Sequence, residues 1–316
     1  MWRGRPRPRY SVSVSRILIS GASGLIGAAL VSVLESSGDE VFRLVRRALR
    51  NERELQWDPE RAVPPELVSG FNAVIHLSGE SVAGRWTTAK KQRIRDSRVV
   101  STANLANAIA RAEKPPQTFI CASAVGYYGN RGDEVLTEES VSGSGFLAEV
   151  SREWEAAASP AANAGARVVN IRIGIVLSRD GGGLKQMMLP FRLGLGGKIG
   201  SGRQWWSWIH IDDLVAAVVF ILQNVEMHGP ANMVSPNPVT NAEFTWTLAR
   251  VLHRPAILPV PAFAARIAFG EFAKEGLLSS AKVMPKGLLQ TEFRFRYPEL
   301  EEGLTQLLAA RASISG

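Results

Sequence analysis

The fold is decided by the sequence RILIS at residues 16–20, which runs directly into GASGLIG at residues 21–27. A short apolar run followed at once by glycines is typical of a buried parallel strand that ends in a tight turn. Residues 28–35 then carry apolar side chains at helical spacing, and a second apolar run follows at residues 40–45. Strand, turn, helix and strand together span about 30 residues, the length that a right-handed βαβ crossover requires.

The same alternation continues along the chain. Further strands are predicted at residues 72–77, 117–122 and 166–172, and helices at residues 88–112 and 146–164. Strands and helices that take turns indicate an α/β fold with a doubly wound parallel sheet, the Rossmann architecture.

Three regions are expected from the composition. Residues 1–14 form a basic, disordered extension, and residues 15–178 form the dinucleotide-binding Rossmann core. Residues 179–316 are mainly a smaller C-terminal substrate lobe with a small domain, although some segments, such as 208–235, return to the core. The boundary is placed near residue 178 because glycine-rich and aromatic segments replace the regular alternation there.

The glycines of the turn have the spacing GxxGxxG. Such a turn lets the backbone approach a pyrophosphate closely and directs the free N–H groups of the next helix at its negative charge. A tight turn with a purely structural role is the alternative, and the position inside a complete βαβ unit favours the dinucleotide. The predicted contacts come from Gly21, Ala22, Ser23, Gly24, Leu25, Ile26 and Gly27.

The end of the second strand predicts which nicotinamide cofactor is bound. A carboxylate there accepts a hydrogen bond from the ribose 2′-hydroxyl of NAD, whereas an arginine pairs with the 2′-phosphate of NADP. This strand ends in Val45, Arg46 and Arg47, and no carboxylate follows until Glu52. NADP(H) is therefore predicted in preference to NAD, with a solvated pair of surface arginines as the alternative.

Composition excludes several classes of protein. The chain has 316 residues, of which 46% are hydrophobic and 21% charged, and no apolar run approaches the roughly 18 residues that a membrane-spanning helix needs. The single cysteine, Cys121, and four scattered histidines offer no zinc-type spacing, so no metal is expected. We expect a cytoplasmic protein with a small-molecule substrate and no membrane partner.

The formal net charge of +8 comes in part from the first ten residues. Four arginines lie there, at positions 3, 5, 7 and 9, and subtracting them leaves +4 over the other 306 residues. We therefore expect no nucleic-acid partner. The segment is Arg-rich and acid-free like a transit peptide, but Pro6 and Pro8 oppose the amphipathic helix of such peptides, so a disordered extension is favoured.

Several motifs follow the glycine turn in a recognisable order. They are HLSGE at residues 76–80, YYG at 127–129, WIHIDDL at 208–214 and the C-terminal block LLSSAKVMPKGLLQTEFRFRYPELEEGL at 277–304. With them the chain resembles the extended short-chain dehydrogenases/reductases. More narrowly, it resembles the NADP-binding "epimerase family" branch of atypical members, in which a small extra domain corresponds to the C-terminal block.

The resemblance implies further contacts with the cofactor. Backbone contacts are implied after one strand and at the end of another, namely at Leu77, Ser78, Gly79 and Ile175. Arg98 stands where many extended members have an asparagine, so a cation is expected to reach the cofactor from that helix, and Arg93 is a looser match five residues earlier. For both arginines the alternative is a solvated charged face.

The chain departs from the family at the catalytic pair. The resemblance implies a YxxxK motif followed four residues later by a glutamate, and Glu155 fits that glutamate. Counting back places Leu147 at the tyrosine and Ser151 at the lysine, so neither the proton donor nor the cation that tunes it is present.

Other side chains are candidates for the missing chemistry. Ser123, which the resemblance places at the end of a strand beside the cofactor, is expected to bind a substrate carbonyl and to contact the cofactor. Tyr127 and Tyr128 are candidate proton donors, with packing roles as the alternative. His210 with its neighbouring aspartates is a weaker acid/base candidate, and residues 181–183 are interpreted as a flexible substrate-side loop.

Two functions follow from these expectations. The first is an NADP(H)-binding oxidoreductase or epimerase-like protein that acts on a small carbonyl or hydroxyl substrate without the usual YxxxK dyad. The second is a catalytically slow NADPH-binding protein that regulates or senses redox state through a partner.

Overall fold

The computed structural model describes residues 14–309; the expected extension, residues 1–14, lies almost wholly outside this range. Its main feature is a seven-stranded parallel sheet. The strands of this sheet are β1 (Arg16–Ser20), β2 (Glu40–Val45), β3 (Glu54–Gln56), β4 (Ala73–His76), β5 (Thr118–Ala124), β7 (Arg167–Ile173) and β11 (Gly229–Met233). The predicted doubly wound α/β fold is confirmed.

The strands lie side by side in the order β11-β7-β5-β4-β1-β2-β3. The chain direction across the sheet reverses between β1 and β4, because β1 lies between β2 and β4. Ligands of open α/β sheets bind in the crevice outside the carboxyl ends of the strands at this switch point. The glycine turn follows β1 directly and therefore lies at that crevice.

Helices cover both faces of the sheet. They are α1 (Leu25–Ser36), α2 (Thr88–Arg111), α3 (Phe146–Ala156), α4 (Ser159–Asn163), α5 (Gly182–Arg192), α6 (Ile211–Gln223), α7 (Asn241–Val251), α8 (Ala262–Phe269), α9 (Lys286–Leu289) and α10 (Leu300–Ala309). Alternate residues of β1 face opposite cores. Ile17 and Ile19 pack with α1 and α6, whereas Leu18 packs with α2, α3 and α4.

Two local expectations from the sequence differ from the structure. The helix expected at residues 146–164 is divided into α3 and α4, and Pro160 lies in the first turn of α4, where proline favours the start of a new helix. The three-residue strand β3 was not predicted, because so short a segment carries no periodic pattern.

Further short strands pair with one another outside the seven-stranded sheet. They are β6 (Val135–Leu136), β8 (Ile175–Leu177), β9 (Trp205–Trp206), β10 (Trp208–His210), β12 (Val239–Thr240) and β13 (Lys282–Val283). β10 pairs with β8, β12 with β9, and β13 with β6. The segment 208–235 supplies α6 and the edge strand β11, so it packs on the sheet, whereas residues 254–309 form the helices and loops beside it.

Candidate functional site

The glycine turn has a backbone that larger residues could not adopt without clashes. Gly21 has a φ of +73°, and a Cβ built on it would lie 2.8 Å from the backbone carbonyl carbon of Leu77. A Cβ on Gly27 would lie 2.2 Å from the carbonyl oxygen of Gly21, well inside van der Waals contact. These two glycines thus let the turn fold back against α1 and against the loop after β4.

Gly24 has a different role, because it is exposed and has an ordinary backbone conformation. It forms the N-cap of α1 with no side-chain hydrogen bond to the first N–H groups of the helix. Those donors and the positive end of the helix are therefore free to meet an anion. This is the arrangement that the sequence predicts for binding the pyrophosphate of a dinucleotide.

A cleft of about 350 Å³ opens at this turn. Its walls come from the glycine turn, from the ends of β4, β5, β7 and β8, and from the start of α5. The lining residues are Gly21, Gly24, Leu25, Ile26, Gly27, Leu77, Ala122, Ile173, Ile175, Val176, Gly182 and Gly183. The cleft brings together most of the residues predicted in the turn with Leu77 and Ile175; Ala22 is buried beneath it and Ser23 is exposed beside it.

The glycines at 181–183 are not the flexible loop that the sequence suggested. Gly181 is the N-cap of α5, and Gly182 and Gly183 form its first turn. Leu25 packs close to Gly181, where an added Cβ would meet its side chain at 3.2 Å. The absence of side chains at these glycines therefore lets α5 begin close to Leu25 of α1.

The two arginines after β2 have separate environments. Arg47 donates two hydrogen bonds to the carboxylate of Glu54, from Nη1 at 2.8 Å and from Nη2 at 2.6 Å. The hydrogen bonds from Arg47 lower the pKa of Glu54 to about 2. Arg46 is exposed and forms no hydrogen bond or ion pair with the rest of residues 14–309. Only Arg46 is free for a phosphate, while Arg47, predicted as a second contact, is held by Glu54.

The loop after β4 is held in place by a buried arginine. The Leu77 amide donates to Ser20 at 3.1 Å, which joins the loop to β1. Arg98 Nη1 donates to the carbonyl oxygen of Glu80 at 2.9 Å, and its guanidinium lies beside Gly79, where a Cβ would be 3.2 Å from Cζ. Burial lowers the pKa of Arg98 to about 10. The guanidinium therefore stabilises the loop of Leu77, Ser78 and Gly79 through its contacts with Gly79 and Glu80.

Arg93 points to the same loop from the solvent side. Its side chain is largely exposed, and Nε lies 3.9 Å from a carboxylate oxygen of Glu80. This is a weak surface pair, so the structure gives Arg93 no defined contact at the cleft.

Ser123 lies at the carboxyl end of β5 but does not face open solvent. It is 2% exposed, and its hydroxyl donates to Glu155 Oε1 at 2.6 Å. Glu155 also accepts two hydrogen bonds from the buried Arg172, from Nε and Nη2, both at 2.8 Å. The expected direct contact of Ser123 with a substrate carbonyl is disfavoured by this geometry, because its proton already serves a carboxylate in the core.

The neighbouring tyrosines, Tyr127 and Tyr128, differ from each other in burial and in hydrogen bonding. Tyr128 is fully buried, accepts a hydrogen bond from Arg172 at 2.9 Å, and has Asn232 Oδ1 2.7 Å from its hydroxyl oxygen. Burial raises its pKa to about 12. The packing role that the sequence left as the alternative fits this environment of Tyr128 better than proton donation, because its hydroxyl is buried and hydrogen-bonded within the protein.

Tyr127 is half-buried and has a free hydroxyl. The guanidinium carbon of Arg172 lies 3.5 Å from the centroid of the Tyr127 ring. The ring of Tyr128 meets it edge to face, with the two ring centroids 5.3 Å apart. The hydroxyl has no hydrogen-bond partner in the portion of the chain that the structure describes. Of the three predicted catalytic side chains, Tyr127 alone combines a free proton with a fixed ring.

Helix α3 carries Leu147 and Ser151, the positions at which the resemblance implies the tyrosine and the lysine. Leu147 packs against Gly126, and Ser151 is buried at 4% exposure. The amides of Phe146 and Leu147 donate to the carboxylate of Glu275 at 3.1 and 2.9 Å. Sequence reasoning missed Glu275, because no local pattern shows that a segment 128 residues further along caps this helix.

His210 is a structural residue rather than half of an acid/base pair. It is fully buried at the N-cap of α6, and its Nδ1 accepts a hydrogen bond from the amide of Asp212 at 3.1 Å. Burial lowers its pKa. Asp213 accepts from the amides of Arg296 and Tyr297 at 2.7 and 2.9 Å, which fastens the C-terminal segment to α6.

The described residues contain neither a cluster of metal-ligating side chains nor a membrane-spanning helix. Between residues 14 and 309 there is no group of three or more metal-ligating His, Cys, Asp or Glu side chains. Within that range, no helix is both long and apolar enough to cross a membrane.

Comparisons with known proteins agree with this geometry. Residues 17–235 match the model of the NAD dependent epimerase/dehydratase family, and residues 260–307 match a domain of unknown function, DUF1731. The chain is 45% identical over 290 residues to the epimerase family protein Mb2239 of Mycobacterium bovis, which covers 91% of this chain and 96% of that protein.

Solved structures show the same fold. The crystal structure of the human epimerase family protein SDR39U1 with NADPH superposes with a TM-score of 0.85 at 35% identity, covering 92% of this chain and 98% of that one. The UDP-glucose 4-epimerase of Thermus thermophilus in complex with NAD superposes with a TM-score of 0.73 at 18% identity, covering 95% of this chain and all of that one. At that identity the second likeness concerns the fold alone.

Proposed function

This chain belongs to the NAD dependent epimerase/dehydratase family, and we propose that it binds NADP(H) and transfers a hydride to or from a small carbonyl or hydroxyl substrate. Family membership agrees with the resemblance expected from the motifs. The observation that carries the cofactor proposal is the free, exposed Arg46 at the end of β2.

The cleft and the end of β2 together carry groups that suit a dinucleotide with a 2′-phosphate. The turn around Gly24 offers unpaired amides to the pyrophosphate. Arg46 offers a cation to the 2′-phosphate, and the carboxylate of Glu54, on the neighbouring strand β3, is neutralised by Arg47. No carboxylate stands at the end of β2 itself to accept a hydrogen bond from a ribose 2′-hydroxyl, so NADP(H) is favoured over NAD(H). The NADPH in the crystal structure of the similar human protein supports the same choice.

The chemistry needs one group from the cofactor and one from the protein. When bound, the nicotinamide supplies or accepts a hydride at the substrate carbon. A carbonyl that gains a hydride must also gain a proton on oxygen. We assign that proton to the hydroxyl of Tyr127, whose ring is held by Arg172.

A second function is favoured by a different observation. Leu147 and Ser151 replace the usual dyad, and Ser123 and Tyr128 are committed to hydrogen bonds in the core. A site with one free tyrosine fits a catalytically slow protein that uses NADPH as a regulatory or redox-sensing ligand and acts through a partner.

The two functions are separated by one experiment in two stages. NADPH and NADH are titrated into the protein by calorimetry, and the NADPH-loaded protein is then mixed with a panel of aldehydes, ketones and quinones. Loss of the absorbance of the reduced nicotinamide with any compound supports the oxidoreductase. Tight NADPH binding with no turnover across the panel supports the regulatory function, and equal affinities for NADPH and NADH contradict the NADP assignment.

A further inference from the structure

A large apolar patch lies exposed beside the sheet. It consists of Leu193, Leu195, Ile257, Leu258, Phe263 and Ile267, and these side chains are between 49% and 76% exposed. Monomeric soluble proteins rarely expose contiguous apolar surface of this extent without a binding role. None of these residues belongs to the dinucleotide cleft.

Two segments that carry the patch, distant in the sequence, run side by side. The amide of Val260 donates to the carbonyl of Lys198 at 2.9 Å, and the amide of Gly200 donates back to Val260 at 2.8 Å. Nearby, Arg254 Nε donates to the carbonyl of Arg192 at 3.1 Å. The loop after α5 is therefore fixed to the loop that leads into α8.

Helix α8 presents its own apolar face next to this junction. Phe263 and Ile267 are four residues apart and lie on the same side of the helix, while Ala265 is buried against the protein. Both large side chains thus point away from the core.

The surroundings of the patch are basic. Neither residues 181–211 nor residues 244–270 contain an aspartate or glutamate. The same two segments carry seven cationic side chains, namely Lys185, Arg192, Lys198, Arg203, Arg250, Arg254 and Arg266. Of these, Arg250 is paired with Glu301 of α10 at 3.4 Å. At the borders, Glu271 is paired with Lys91 at 2.8 Å and Asp180 lies 3.7 Å from Arg179.

We propose that the apolar patch binds the surface of a membrane that contains anionic lipids. The apolar side chains would enter the boundary of the acyl chains while the surrounding cations meet the headgroups. This is a contact in the membrane plane, distinct from a spanning helix, and it revises the expectation of no membrane partner.

The charge of the patch argues against the other occupants. A second copy of the chain, seated on the same patch, would bring the same cations face to face, and the two segments that carry the patch contain no acid to compensate them. The terminal segments 1–13 and 310–316 also contain no acid, so they offer the patch no complementary charge.

The test is co-sedimentation of the full-length protein with vesicles of phosphatidylcholine, with and without phosphatidylglycerol. We expect binding to the anionic vesicles and little binding to pure phosphatidylcholine. Phe263→Ser/Ile267→Ser should weaken binding about tenfold or more, while NADPH affinity stays unchanged and reports an intact fold. The matched control, Leu49→Ser/Val225→Ser, removes two exposed apolar side chains elsewhere and should bind normally.

A charge variant tests the second half of the proposal. Arg192→Glu/Arg266→Glu keeps the apolar side chains and should also lose binding to the anionic vesicles. Full binding by the Phe263→Ser/Ile267→Ser variant would assign the contact to the arginines of residues 1–9 and overturn the proposal. Concentration-dependent self-association that this variant abolishes, without vesicle binding, would overturn it in favour of a second copy.

Discussion

The guanidinium of Arg47 is engaged by the carboxylate of Glu54 through two hydrogen bonds of 2.8 and 2.6 Å. Glu54 also accepts a hydrogen bond from the amide of Arg50 at 2.7 Å, so its carboxylate is fully used inside the β2–β3 connection. This pair gives two adjacent arginines different environments. Arg47 holds the connection between β2 and β3, and Arg46 remains free for the proposed contact with a 2′-phosphate.

We expect Arg46→Asp to weaken NADPH binding by about 2 kcal/mol or more, because a phosphate partner becomes a repelling carboxylate. NADH has no 2′-phosphate, so its affinity should change little. Calorimetric titration of both cofactors measures the difference. Arg61→Asp makes the same charge change on a largely exposed side chain elsewhere and should leave both affinities unaltered. Equal losses of NADPH and NADH affinity in Arg46→Asp would show that Arg46 does not contact the 2′-phosphate.

Gly24→Val should abolish dinucleotide binding while the protein remains folded. The φ of Gly24 is −75°, which any residue adopts, and its nearest obstacle to a Cβ is the oxygen of Gly21 at 3.3 Å. The branched side chain would instead fill the approach of the pyrophosphate. Gly27→Val is the contrasting variant, because its Cβ would collide with the backbone and lower the melting temperature. Normal NADPH affinity in a folded Gly24→Val protein would refute the phosphate turn.

The sequence predicted the turn because its signal is local. The glycine spacing and the strand before it lie within a dozen residues, and the structure places Gly21, Gly24 and Gly27 at the switch point of the sheet. The sequence could not show in the same way that Arg47 is held by a carboxylate while Arg46 is free. It depends on Glu54, which belongs to a strand too short to leave a pattern.

The catalytic side chains were harder to predict because burial is set by distant partners. Ser123 meets Glu155 from α3, and Tyr128 meets Asn232 from β11. No spacing in the sequence shows that these contacts turn both hydroxyls into the core. The break between α3 and α4, by contrast, was signalled by Pro160.

Glu155→Gln should destabilise the protein by about 3 kcal/mol or more, because it leaves the buried guanidinium of Arg172 without its counter-charge. Arg172 is 3% exposed, so water cannot replace the lost partner. Urea unfolding measures the change. Glu153→Gln is the matched control, since it removes the same charge from the half-exposed pair with Arg95 and should cost about 1 kcal/mol or less. Equal, small effects of both variants would show that the buried pair contributes no more than the surface one.

His76 should make stability depend on pH. It is fully buried, with Nδ1 2.5 Å from Ser20 Oγ and Nε2 3.0 Å from Ser101 Oγ. Burial, together with the charge of Arg98, lowers its pKa from 6.5 to about 3. Below pH 6.5 the imidazole of His76 is therefore protonated in the unfolded chain, whereas in the folded protein it stays neutral down to about pH 3. The free energy of unfolding is at its full value above pH 6.5 and falls as the pH decreases.

The slope from this one group approaches about 1.4 kcal/mol per pH unit. Urea unfolding of the wild type and of His76→Gln between pH 7 and pH 4 isolates it. The difference in stability between the two proteins should shrink steadily toward acid. A constant difference across the range would mean that His76 titrates equally in both states.

Tyr127→Phe and Tyr128→Phe should have opposite consequences, although each removes one hydroxyl from adjacent residues. Tyr128 loses contacts with Arg172, Asn232 and the carbonyl of Thr137, so its variant should lose about 1–3 kcal/mol of unfolding free energy. Tyr127 loses no hydrogen bond that the structure describes, so its variant should be as stable as the wild type. On a substrate that the wild type reduces, Tyr127→Phe should lower the rate by about tenfold or more with NADPH affinity unchanged. Full activity in a stable Tyr127→Phe protein would require that the proton comes from another group or from water.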